Sequence, residues 1–241
     1  MQTESPLDMK RWGPWATLWL GLLVLLLAQA PALAVYVKWS GKALAEVGEA
    51  AHDGVATIVL IVVSTPFLVA MIEWLAWRIS AKPVDYLGLK LPTRRELALG
   101  VIAVATFLVV GEGLSWLIGE QAVTPFQTDI YRTAESAGWL PWLWLTVVVA
   151  APLGEEILFR GFFFRGWLRA SGDARPAIAA TSLLWAGLHV QYDLFTMGVV
   201  LALGLLLGWM RWRSGSTILT MILHALVNAE GMVETFVQLR G

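Results

Sequence analysis

Long apolar runs alternate with short polar stretches along nearly the whole chain. About 20 apolar residues cross a bilayer as a helix, and runs of about that length recur. They lie at about 14–37, 54–77, 97–118, 139–164, 176–192, 194–210 and 216–237. The fifth and sixth are short, so the count of about seven has a range of six to eight. Pro83, Pro92 and Pro125 punctuate the polar stretches, and Gly215-Ser216 precedes the last run. The pattern predicts an all-α, polytopic transmembrane helical bundle. No repeat or linker divides it, so residues 1–241 read as a single integral membrane domain.

Composition agrees. The chain is 58% hydrophobic and 15% charged, against about 25% charged in soluble domains. Mean hydropathy is +0.68. Net charge is −1, so nothing marks it for nucleic acid. With 0 Cys, disulfides, thiolate metal sites and a cysteine nucleophile are excluded. The 14 Trp suit the aromatic belts of membrane interfaces.

Charge sorts by loop. Lys10, Arg11, Arg78, Lys82, Lys90, Arg94, Arg95, Arg165, Arg169, Arg175, Arg211 and Arg213 fall at one set of span ends. The other set carries Lys38, Lys42, Arg132 and Arg240. The positive-inside rule puts the N-terminus in the cytoplasm. The expected location is a bacterial inner (plasma) membrane. Ala32-Leu33-Ala34 looks like a signal-peptidase site. The preceding apolar run is long for a signal peptide, and an uncleaved anchor is the expectation.

Three spans hold polar groups that a bilayer penalises. Glu155, Glu156 and Arg160 follow the apolar run Trp139–Leu153. Each uncompensated charge near mid-bilayer costs about 2.5–3.5 kcal/mol on insertion scales. Glu156 and Arg160 are four apart, share a helix face and can neutralise each other. Glu155 projects about 100° away with no such local partner, which suits a general acid or base. Trp185 and His189 are four apart in the next span, as are His224 and Asn228 in the last. Taken singly, a His or Asn in an apolar helix is more often a hydrogen-bonded structural residue. His52, beside Asp53 in a loop, carries no assigned role.

Together these segments resemble the CPBP family, the CAAX-protease and bacteriocin-processing intramembrane endopeptidases, which include type II CAAX prenyl endopeptidases. Its E-E-x-x-x-R motif is Glu155-Glu156-Ile-Leu-Phe-Arg160. Its F-x-x-x-H motif is Trp185-Ala-Gly-Leu-His189, with Trp in place of Phe. Its H-x-x-x-N motif is His224-Ala-Leu-Val-Asn228. The likeness covers about 139–237, the expected catalytic core.

The resemblance implies an intramembrane endopeptidase that hydrolyses a peptide bond of a membrane-associated protein or peptide. In it, Glu155 is the general base on a water also held by His189. His224 and Asn228 donate to the oxyanion, while Glu156 and Arg160 fix the geometry and Trp185 shapes the pocket. No cofactor is required on the glutamate-type reading. The alternative is a divalent metal such as zinc on Glu155, His189 and His224, a donor set zinc accepts. The expected partners are that substrate and the lipid bilayer, with no nucleic acid. Competing readings are a sorting-type protease that cleaves C-terminal anchors, a non-catalytic immunity or scaffold protein, and a transporter with a proton relay.

Overall fold

The computed structural model describes residues 11–41, 52–120 and 123–241; Lys10 and Lys42 lie outside them. The described residues form helices and no strand: α1 (Pro14–Ser40), α2 (Gly54–Ile79), α3 (Pro83–Leu87), α4 (Arg94–Ile118), α5 (Pro125–Ser136), α6 (Leu140–Trp167), α7 (Arg175–Gly187), α8 (Leu194–Ser214) and α9 (Thr217–Arg240). The chain is an all-α polytopic bundle.

Local chemistry sets the boundaries. Thr93 and Glu96 form a reciprocal capping box on α4, and Thr124 and Gln127 form one on α5. The side chains of Asp53, Asp193 and Ser216 cap α2, α8 and α9. Helices occupy all seven predicted runs, but among the described residues five are both long and apolar enough to cross a membrane: α1, α2, α4, α6 and α8. α7 has 13 residues, about 20 Å at 1.5 Å per residue. α9 has 24 residues, but His224, Asn228, Glu230 and Glu234 dilute its apolar character.

The two ends of the bundle are chemically distinct. At one, the Arg11 guanidinium donates to Leu168 O, Trp12 Nε1 to Leu75 O at 3.3 Å, and Thr217 N to Gly88 O at 2.8 Å. This basic end gathers the loops richest in Lys and Arg. At the other, Gly54 N meets Thr133 Oγ1 at 2.7 Å and Arg240 pairs with Glu135. The chain crosses between these ends with each long helix.

The outer surface is apolar: Leu26, Val109 and Leu194 are all more than 70% exposed, as expected of side chains meeting lipid tails. Inside, Leu158, Phe162 and Phe163 of α6 are fully buried. α1 runs unbroken through residues 32–34 and lies close against α6, with the Phe163 ring on Gly21 and Thr17 on Gly166. A Cβ at either glycine would overlap its neighbour, which is how small residues let membrane helices approach.

Candidate active site

The site starts from a distorted helix. α6 turns π-helical at Thr146–Ala150 and again at Ile157–Phe163, leaving one α-helical segment, Ala151–Glu156, between them. That segment carries both glutamates. π-Helical turns inside α-helices concentrate at functional sites, and here proline contributes. The Ala151 N–H bonds Thr146 O, five residues back. The next donor in that register would be residue 152, which is Pro and has no N–H. Val147 O is thereby left to another partner, and Asn228 Nδ2 of α9 donates to it at 2.8 Å.

The two glutamates diverge as their spacing predicts. Glu156 is fully buried and accepts on Oε1 from Arg160 at 2.8 Å and from His224 Nδ1 at 3.0 Å. Arg160, also fully buried, reaches Gly204 O at 3.3 Å and stacks its guanidinium 4.5 Å from the Trp185 ring. Glu155 is half-buried and faces a cavity of about 320 Å³. Trp185, His189, His224 and Asn228 line the same cavity; Glu156 and Arg160 stand behind it.

Trp185 is the hub. Its indole N–H donates to Glu155 Oε2 at 2.6 Å. The His189 and His224 rings pack edge-on against it at 5.0 and 5.2 Å. The residue at which the chain departs from F-x-x-x-H therefore makes a bond that Phe has no atom to make.

The position of His189 corrects the expected span at 176–192. α7 ends at Gly187, so His189 lies beyond the helix. Its Nδ1 sits 2.7 Å from Trp185 O, a carbonyl of the last helical turn that also accepts from Leu188 N at 3.2 Å. A carbonyl only accepts, so Nδ1 carries the proton and Nε2 presents its lone pair. Tyr192 stacks on His189 at 5.9 Å. Burial, then the Glu155 charge, pushes its phenol up to about 12, so it is a donor throughout the neutral range.

Sequence reasoning passed over three cavity-lining carboxylates. Glu112, Glu230 and Glu234 hold their oxygens within 4.8 Å of one another. Glu112 sits in an apolar run, and the rule that flagged Glu155 would have flagged it too. With exposed Gln191, these residues lie at the end of the cavity away from the basic end. The donor atoms of Glu155, His189 and His224 do not form a group within 4.8 Å among the described residues. Ligands about 2.0–2.2 Å from one zinc ion lie closer together than that.

Residues 137–229 match the family described as type II CAAX prenyl endopeptidase Rce1-like, a stretch that contains all three motifs. An uncharacterized 24.3 kDa protein of Escherichia coli is 31% identical, over 54% of this chain and 70% of that protein. No solved structure shows a significant match. The motifs, the buried Glu156–Arg160 pair and the matched segment converge: this chain belongs to the Rce1-like type II CAAX prenyl endopeptidase family, a family of intramembrane proteases.

Proposed function

We propose that the chain is a glutamate-type endopeptidase acting on membrane-associated proteins or peptides, with Glu155 as the general base. The observation that carries this reading is the shared cavity, onto which Glu155, His189, His224 and Asn228 all open. A water there gives its proton to Glu155 while His189 Nε2 accepts its second hydrogen. That orients a lone pair of the water at the scissile carbonyl. Glu155 then passes the proton to the leaving amine.

Oxyanion stabilisation falls to α9. With Nδ1 held by Glu156, His224 has Nε2 left for the oxyanion. Asn228 spends one amide hydrogen on Val147 O and keeps the other for the oxyanion. Donors held in place before the reaction do the most for a developing charge. Glu156 and Arg160 supply that rigidity: Arg160 holds the carboxylate on which His224 rests. Zinc on Glu155, His189 and His224 is the competing reading; their donor atoms do not gather within 4.8 Å of one another among the described residues, which favours the glutamate type.

We also place the cavity mouth on the extracytoplasmic side, since it lies opposite the Lys/Arg-rich loops. The test is to compare the termini of membrane proteins in cells that lack the chain, carry it, or carry Glu155→Gln. A protein terminus made only by the wild type supports the reading and identifies a substrate. A terminus made equally by wild type and Glu155→Gln, and absent without the chain, would refute Glu155 as the base. A phenotype rescued by Glu155→Gln with no change in any terminus would favour the scaffold reading.

A further inference from the structure

A second cavity, of about 380 Å³, lies at the basic end, remote from the glutamates that face the first. Its wall includes Asp85, Lys90, Phe164, Arg165, Arg211 and Trp212. Arg211 is only 7% exposed. It donates Nε to Arg160 O at 2.9 Å and lays its guanidinium 5.3 Å from the Phe164 ring centre. No carboxylate lies within ion-pair distance of it among the described residues, and its two terminal nitrogens make no hydrogen bond there. A buried, uncompensated cation is unfavourable unless an anion joins it.

The surroundings are built around that guanidinium. Gly88 and Gly215 both adopt positive φ, +68° and +66°. A Cβ on Gly88 would strike the Arg211 terminal nitrogen, and one on Gly215 would come 3.0 Å from Lys90 Nζ and 4.0 Å from Arg211 Nη1. Two glycines thus admit two cations to one small space. The cradle is tied down: Thr217 Oγ1 donates to Leu87 O at 2.6 Å and Ser216 Oγ to Lys90 O at 2.5 Å. Arg165, 5% exposed, adds a third positive charge to the wall. Among the described residues Asp85 is the one carboxylate on it, and it is exposed.

We propose that Arg211 and Lys90 bind a phosphate-group anion at the basic end of the bundle. The planar fork of Arg matches two phosphate oxygens at once. The site is level with the ends of α6 and α8, where the headgroup phosphates of an anionic lipid lie. Free phosphate shares the chemistry. Arg211 also grips the backbone carbonyl of Arg160, whose side chain holds Glu156 and through it His224. An anion that fixes Arg211 therefore steadies the π-helical turn behind the active site. That last link rests on the protease reading; the binding site does not.

The full chain, purified in a neutral detergent and stripped of lipid, is melted with phosphatidylglycerol, phosphatidylcholine or inorganic phosphate. Phosphatidylglycerol raises Tm by several degrees and phosphatidylcholine does not. An equal rise with inorganic phosphate alone assigns the site to the free anion. Arg211→Gln abolishes the rise and Lys90→Gln, a surface change, diminishes it. If Arg211→Gln fails to fold, Arg211→Lys and Lys90→Gln carry the test. No response of the wild type to either anion, or an undiminished response in Lys90→Gln together with either Arg211 variant, overturns the proposal. None of these readouts requires proteolysis, so failure of the peptidase reading leaves them interpretable.

Discussion

The Trp185 indole N–H donates to Glu155 Oε2 at 2.6 Å, across two helices and 30 positions of sequence. One oxygen of the carboxylate is thereby anchored, and the other is left toward the cavity. A hydrogen bond to a charged group contributes about 1.5–3 kcal/mol. Trp185→Phe keeps an aromatic under Arg160 but removes that anchor. We expect a folded variant whose kcat/KM falls by about tenfold or more. An unchanged rate in a folded Trp185→Phe would show that the indole does not position Glu155.

The Glu156–Arg160 pair is fully buried, so removing one partner leaves a stranded charge. Such losses cost about 3–5 kcal/mol. Glu156→Gln should therefore lower the unfolding temperature, and Arg160→Met should do the same. Replacing both at once should restore part of the loss. A double variant no more stable than the worse single one would argue that each residue acts through other partners.

Asn228 has a structural task separable from its proposed catalytic one, since it completes Val147 O in place of the N–H that Pro152 lacks. Pro152→Ala supplies an N–H to that register. In its background Asn228→Ala should cost less stability than in the wild type, by about 1 kcal/mol. Its effect on cleavage should persist. Equal destabilisation in both backgrounds would sever Asn228 from the π-helical turn.

Sidedness can be read directly because the chain has no cysteine of its own. Gln191→Cys marks the cavity mouth and Arg213→Cys the basic end. With the expected orientation, a membrane-impermeant maleimide labels Gln191→Cys in intact cells and Arg213→Cys only after permeabilisation. The reverse pattern would place the mouth in the cytoplasm.

How much of this was written in the chain depends on the range of the interaction. The Glu156–Arg160 pair follows from a spacing of four within one helix, and the helix supplied the geometry. The separation of basic and non-basic ends follows from loop composition, because each long helix reverses the chain. The Glu155–Trp185 bond was not legible: the pattern could only register Trp as a substitute for Phe. Likewise, Asn228 reaches Val147 only because Pro152 opens the register of a different helix. Apolar residues continue past Gly187, so the pattern extends the helix through His189, yet the chain breaks there and the imidazole meets the last turn. The polar side chains of α9 lowered its hydropathy for the same reason that they matter: they face the cavity.

The central claim is that Glu155 takes the proton of the attacking water. The direct measurement is single-turnover cleavage of a membrane peptide substrate by purified wild type and Glu155→Gln. Folding of the variant is checked by its thermal melt. Loss of a general base costs about 10²–10⁴-fold in rate, and we expect a loss of that size with the melt preserved. A folded Glu155→Gln that cleaves within a few-fold of wild type would contradict the mechanism.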